Sequence, residues 1–463
     1  MKLQDTLTNS EKTLDVSSKV KIYLCGVTVY DESHIGHART IIVFDVLRRY
    51  LENKGIEVNF IQNFTDIDDK IINRAKLENV TAEEISSKYI EHYFSDFDGL
   101  NVKRATNYPK ATEHIKDILD FIEKLINKGI AYASKNGVYF SVSKFPEYGK
   151  LSKKKIDELQ SGARIEIDES KKDPLDFALW KFSDVKPTWD SPWGNGRPGW
   201  HIECSAMSIK YLGENFDIHG GGRDLIFPHH ENEIAQSESF ADNQFAKIWM
   251  HVGMVTISGE KMSKSIGNVK SIKHVLDNWG ANIARLFCLS GHYSKPIDYS
   301  EELLKENLTK WRQVETCYYE LIHVDNDNRD SDILPFVQNR KMDFDKSLDE
   351  DLNTHLALSA FFSLVKNTNQ LAADEKLAKN QAQTILVEFQ RMLEILGLNI
   401  PEITPEQKNK VDQMIETREK LRKEKQFEEA DKIRNQLNEM NIELIDHTQK
   451  TIWMRKEKIK ADV

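Results

Sequence analysis

Two short stretches carry residues suited to phosphate chemistry. His34-Ile35-Gly36-His37 follows a strand-like run and opens a helix-like one. A helix N-terminus presents unpaired N–H groups and the positive end of the peptide dipole, so it favours anions. Two imidazoles three positions apart add hydrogen-bond donors, and Gly36 lets a flat ligand approach the backbone. Taken alone, the tetrapeptide equally fits two ordinary helix-capping histidines. Lys261-Met262-Ser263-Lys264-Ser265 lies in a loop bearing Gly and Ser. Two lysines among small polar residues fit a mobile segment closing over polyphosphate, and alone they also fit a solvated loop. Together, in this order and more than 200 positions apart, the two stretches are far more specific.

A third group is Cys25, Cys204, His229 and Glu233. His229 and Glu233 are four apart and share one helix face. Cys25 ends the first strand-like run, at the carboxyl edge where α/β proteins bind ligands. Spacing alone assigns no metal here, because the two thiols are unpaired in sequence and no Cys-x-x-Cys occurs. Buried structural cysteines fit that pattern better.

These residues need elements to hold them. Residues 20–25 (VKIYLC) read as a buried strand, 37–53 as a helix with Gly55 at its C′ position, and 57–64 (EVNFIQNF) as the next strand. Strand, helix, strand at this spacing predicts a parallel sheet with a right-handed crossover. Thr81 and Glu84 form a capping box for a helix through Tyr93. Ile115, Ile118, Leu119, Ile122, Leu125 and Ile126 form an apolar stripe ended by Gly129, and Asn136-Gly137 marks a hairpin. Residues 150–173 read as a charged surface loop and 180–200 as an ordered irregular connection. Helical pattern returns at 200–212 and from His229, with a short strand at 216–219 running into Gly220-Gly221-Gly222. From about 300 to 396 the chain reads as a helical bundle. A linker at 397–404 leads to one charged helix over 406–440, a short alternating segment at 442–445, and a basic tail.

The 463 residues exceed one core and suggest about three domains. Hydrophobic residues make up 40% and charged residues 30%, with a mean hydropathy of −0.55, which excludes wholesale disorder. Lys plus Arg number 64 against 74 Asp plus Glu, a net charge of −10. That argues against a protein coating nucleic acid non-specifically, although a local basic patch is compatible with it. Four scattered cysteines make no disulfide scaffold, so reduced thiols are expected. Residues 1–18 are polar without an apolar core, so no signal peptide is expected, and no run approaches a membrane span.

With both phosphate motifs in place, the chain resembles the class I aminoacyl-tRNA synthetases and their HIGH and KMSKS signatures. It is most similar to the cysteinyl subgroup. That similarity rests on residues 23–30 (YLCGVTVY), 64–70 (FTDIDDK), 199–205 (GWHIECS), 217–222 (DIHGGG) and 227–233 (FPHHENE), and extends over essentially the whole chain. The resemblance implies an α/β Rossmann-like (HUP-type) parallel-sheet catalytic domain over 1–250, with a connective segment inserted at about 110–198. A KMSKS loop and stem-contact region would follow over 251–305, a helical bundle over 306–400, and a small anticodon-binding domain over 401–463.

The resemblance also reverses the reading of the thiols. It implies one Zn²⁺ held by Cys25, Cys204, His229 and Glu233 within an amino-acid pocket, with His230 as a less favoured alternative to His229. Zinc would recognise a substrate thiol that packing alone could not separate from a hydroxyl, so no editing domain would be needed. The implied reaction joins L-cysteine to ATP as cysteinyl-adenylate, with Mg²⁺ accompanying ATP, and then to tRNA(Cys). His34, Gly36 and His37 would bind ATP, Lys261 and Lys264 would hold the leaving pyrophosphate, and Thr65, Trp200 and His219 would line the cysteine side. Trp453 and Arg455, in the basic segment 450–460, would contact tRNA; Trp453 packed within its own domain is the alternative. Where the family usually has glycine, this chain carries Asn441 and Lys450. A cytoplasmic monomer is expected. Two rival readings are a ligase joining cysteine to an amino-sugar and a non-catalytic RNA binder of synthetase type.

Overall fold

A computed structural model describes residues 1–17, 19–155, 170–262, 267–324, 333–401, 403–447 and 451–460. At its centre four parallel strands lie in the order Ala246–Val252, Phe216–Gly222, Val20–Leu24, Val58–Gln62. The expected strand–helix–strand unit is there, with the helix Ile35–Asn53 joining the two strands it separates. Side chains alternate across the sheet. Ile22 and Leu24 enter one apolar core with Phe44 and Leu47, whereas Tyr23 enters the other with Ile61 and Trp249.

The strand at 216 is longer than the sequence suggests, because all three glycines continue it to Gly222. A Cβ on Gly220 would stand 2.1 Å from the Phe44 ring, and one on Gly221 would stand 2.8 Å from His230. The glycines let the first helix and His230 close onto the sheet, and that packing outweighs their poor strand propensity.

The inserted segment builds a helix, Ile115–Asn127, and an antiparallel sheet. The expected hairpin pairs Ala131–Ala133 with Gly137–Phe140, but its turn lies at Lys135–Asn136 and Gly137 already opens the second strand. Asp69, at the start of the helix Asp69–Glu78, ties this sheet to the rest of the fold through ion pairs with Lys181 (3.1 Å) and Arg197. Most of the charged loop expected at 150–173 lies outside the described residues. The capping box at Thr81 and Glu84 is formed, but its helix, Ala82–Gly99, outruns Tyr93 because Tyr93 and Phe97 share its buried face.

Four helices follow: Glu301–His323, Leu334–Asp349, Thr354–Ala373 and Lys379–Leu396. Their interior, including Trp311, Phe361 and Phe389, is continuous with the core under the first helix. Arg285 fixes the junction. It is fully buried, pairs with Asp45 at 2.6 Å and donates to the Leu396 and Leu100 carbonyls.

The single charged helix expected over 406–440 is two helices, Pro405–Lys423 and Phe427–Glu439. Between them Lys425 turns left-handed at φ 62°. The two helices pack on each other by Val411, Ile415 and Leu437, which one straight helix could not bring together. Asn441 adopts φ 59°, a left-handed conformation that glycine favours and asparagine tolerates, and opens the strand Ile442–Asp446. The expected basic tail begins as a strand, Thr451–Arg455, paired antiparallel with it. Lys450 lies outside the described residues.

Candidate active site and metal centre

Four elements converge beyond the carboxyl end of the central strand. Cys25 stands just past Val20–Leu24, Cys204 on the helix Trp200–Leu212, His229 on the turn Ile226–His230, and Glu233 on the helix Glu231–Ala241. All four side chains are buried. Cys25 Sγ lies 3.7 Å from Cys204 Sγ and 3.3 Å from Glu233 Oε1, and His229 Nε2 lies 3.0 Å from the same Oε1. Two thiolates on a tetrahedral zinc at about 2.3 Å would stand about 3.8 Å apart. The donor set and spacing therefore fit zinc without rearrangement.

The charges agree. Glu233 is held well below the usual carboxylate range: burial opposes this, but His219 and His229 outweigh it. Cys204 is pulled down to about 6 by the hydrogen bond from Cys25 and, against burial, by His229. Burial, reinforced by Cys204, pushes Cys25 well up. His229 sits at about 10, because Glu233 and Cys204 overcome burial. The Glu233 carboxylate and the Cys204 thiol held toward its thiolate draw positive charge into the cluster, which a proton on His229 supplies and a divalent cation would supply in its place.

A second set overlaps the first. His230 Nε2 lies 3.3 Å from Cys25 Sγ, and His219 Nε2 lies 2.8 Å from Glu233 Oε2. Cys25, His219, His230 and Glu233 thus also converge. Two histidines that sequence reasoning left without a role complete the arrangement, His201 from within the 199–205 string and His251 from outside every motif: His201 meets His229 at 2.8 Å, and His251 meets His230 at 2.7 Å. Asn63 was equally invisible in sequence. Its Oδ1 accepts from Gly26 N at 2.9 Å and stands 3.7 Å from Cys204 Sγ.

A cleft of about 300 Å³ opens onto this cluster, shares Cys25 with it and is lined by Trp200 beside it. It is also lined by His34, Gly36, His37, Lys261, Met262 and residues 252–255. Motifs far apart in sequence thus face one cavity. Lys264 lies outside the described residues.

His34 and His37 do cap the helix. His34 Nδ1 accepts from Gly36 N and His37 N, at 3.1 and 3.3 Å, and His37 Nδ1 accepts from His34 N at 3.3 Å. The rings stack 3.6 Å apart. Capping and phosphate binding are not rivals here. A ring whose Nδ1 accepts from the backbone carries its neutral-state proton on Nε2. The cap therefore sets both imidazoles as donors. Gly36 leaves room for this, since a Cβ there would press on the His34 ring at 3.0 Å.

Of the three expected pocket residues, Trp200 lines the cleft and stacks on His229 at 4.2 Å. Thr65 and His219 lie behind it. Thr65 is buried, and its backbone holds residues 27 and 29 of the cleft loop through two 3.2 Å bonds. His219 is buried between Glu233 and the Trp249 ring.

Trp453 corrects an expectation. It is only 2% exposed, and its indole N–H donates to Asp412 Oδ1 at 2.8 Å. The ring packs near Tyr319 and His323, so no face is open for a base to stack on. Arg455, two positions on, is half-buried at the end of the strand.

Comparison with known proteins agrees with this geometry. A family described as "tRNA synthetases class I (C) catalytic domain" matches residues 12–309, and the DALR domain matches 343–400. A protein of Thermodesulfovibrio yellowstonii named Cysteine--tRNA ligase is 49% identical, covering 98% of this chain and 99% of that protein. Its namesake in Carboxydothermus hydrogenoformans is 46% identical over 98% of this chain and 100% of its own. Among solved structures, a Mycobacterium tuberculosis methionyl-tRNA synthetase with methionyl-adenylate superposes with a TM-score of 0.64 at 15% identity, over 82% of this chain and 89% of that one. A leucyl enzyme of Agrobacterium radiobacter gives 0.61 at 10%, over 83% and 85%. These two likenesses concern the fold.

Proposed function

The chain belongs to the cysteinyl subgroup of the class I aminoacyl-tRNA synthetases, ATP-dependent cysteine–tRNA ligases, and from that premise we propose how its residues divide the work. The carrying observation is the single cleft that joins the capped histidines, Lys261 and the thiol cluster.

L-cysteine's carboxylate attacks the α-phosphorus of ATP. The new acyl–phosphate bond forms as the α–β bridge breaks, and pyrophosphate leaves with Mg²⁺. His34 and His37 donate from Nε2 to phosphate oxygens as charge builds, a preorganised arrangement because the cap already fixes both rings. Lys261 and Lys264 hold the leaving pyrophosphate. A ribose hydroxyl of the 3′-terminal adenosine of tRNA(Cys) then attacks the adenylate carbonyl and displaces AMP. Most of the rate comes from positioning and charge stabilisation.

Cys25, Cys204, His229 and Glu233 hold Zn²⁺. A zinc held there would supply a soft Lewis acid with affinity for a thiol over a serine hydroxyl. His201 and His219 orient the ligands His229 and Glu233 through their second atoms. Trp200 covers the amino-acid side, and Thr65 holds the loop opposite. Residues 401–463 engage the tRNA anticodon, with Arg455 at the surface and Trp453 as the core of the hairpin that presents it. The enzyme works as a cytoplasmic monomer. Matches over nearly the full length, bundle included, favour this reading over an amino-sugar ligase.

ATP–pyrophosphate exchange with cysteine, serine and alanine, before and after zinc chelation, tests the proposal. Exchange only with cysteine, and only with zinc, is expected. Equal exchange with serine would overturn the pocket.

A further inference from the structure

Arg39 lies two positions beyond His37 on the first helix and is fully buried. No carboxylate among the described residues pairs with it. A buried guanidinium without a counter-ion is costly to keep, so what it touches is informative. One terminal nitrogen donates to the Gly253 carbonyl at 2.9 Å and the Met254 carbonyl at 3.2 Å, and the other donates to the His292 carbonyl at 3.2 Å. Its Nε has no partner. The side chain is spent on three backbone oxygens.

Gly253 and Met254 line the cleft, beside Ile41, Val252, Val255 and Met262. The thiol cluster claims one part of that cleft and the capped histidines another. Of the remaining lining, this apolar stretch with backbone polar groups has the chemistry that suits a nucleoside. A trans peptide points its C=O and N–H in opposite directions. With the Gly253 carbonyl held by Arg39, the Met254 N–H points away from that guanidinium, and among the described residues it has no hydrogen-bond partner in the cleft wall. The backbone there has no slack. Gly253 N donates to the Tyr293 carbonyl at 2.8 Å, and a Cβ on Gly253 would meet the Lys295 carbonyl oxygen at 2.2 Å.

We infer that Arg39 is a positioning residue for the nucleotide, clamping Gly253 and Met254 so that the Met254 amide faces the base of ATP. The inference rests on the ligase reading above. A lysine cannot replace the fork, because its single nitrogen cannot stand where the two terminal nitrogens of Arg39 reach their separate carbonyls.

The test begins with wild-type cysteine-dependent exchange, whose absence would refute the ligase reading rather than this one. In Arg39→Lys the KM for ATP should rise about tenfold or more, the loss of one or two charge-assisted hydrogen bonds. The KM for cysteine and inhibition by inorganic tripolyphosphate, which has no base, should stay within about twofold. An unchanged KM for ATP, or a parallel loss of tripolyphosphate binding, would overturn the inference. Hydrogen exchange in the wild type decides the matter even if the variant fails to fold. ATP should slow the Met254 amide and tripolyphosphate should not, and no slowing with ATP would equally overturn it.

Discussion

Cys25 and Cys204 stand 179 positions apart in the chain, yet their sulfurs lie 3.7 Å apart, both buried beside Glu233. One thiol comes from a strand end and the other from a helix, so only the closed fold makes the pair.

Two overlapping ligand sets share Cys25 and Glu233, and bound zinc discriminates between them. Cys204→Ala and His229→Ala should lose the metal on dialysis, with affinity falling at least about a hundredfold, whereas His230→Asn should keep it to within about tenfold. Metal analysis of the purified variants measures this. Zinc retained in Cys204→Ala and lost in His230→Asn would place it in the other set.

The two duties of His34 are separable. In His34→Asn the side-chain oxygen still caps the helix, since asparagine is among the best N-cap residues. The Nε2 donor is gone. The melting temperature should stay near the wild-type value while exchange falls about a hundredfold. His34→Ala should lose about 1 kcal/mol of stability as well. A variant that keeps full exchange as Asn would confine His34 to capping.

Trp453 and Arg455 should part company. Trp453→Ala removes a buried ring and its bond to Asp412, and should cost about 3–5 kcal/mol in denaturant unfolding of that region. Arg455→Ala should leave stability and exchange intact but raise the KM for tRNA. Charging assays with saturating cysteine and ATP measure it, and an unaltered KM for tRNA would remove Arg455 from the interface.

Asp96 supplies a pH dependence away from the thiol cluster. It is 7% exposed with one carboxylate oxygen unpartnered, and faces Glu32, His92, Lys273 and Asp277. Burial, and then the Glu32 charge, raise it to about 6. The folded protein therefore binds this proton more tightly than the unfolded chain does. Its stability is highest below the unfolded value and falls as pH rises through the window up to the folded one. Asp96→Asn should stabilise by about 2 kcal/mol at about pH 8 and do little at about pH 4. Urea unfolding at both pH values checks this, and an equal gain at both would exclude the titration.

The sequence alone determined what depends on near neighbours. Alternation and apolar spacing predicted three of the four central strands and the helix between two of them, Thr81 with Glu84 predicted a capped helix, and Asn136-Gly137 predicted a hairpin. Each is decided within a few residues by backbone sterics and local hydrogen bonds. The motifs named the family for the same reason, since each is a contiguous string. Tertiary structure decided what depends on distant partners. Local signals read Trp453 as an aromatic in a basic tail, and only pairing with the strand Ile442–Asp446 buried it. They read residues 406–440 as one helix, and only packing of Val411 and Ile415 against Leu437 folded it in two. The roles of His201, His251 and Arg39 left no trace in spacing, because their partners lie 21 to 253 positions away. A periodic pattern records which face of an element is apolar. It does not record which other element will cover that face, and in this protein the site is made of such encounters.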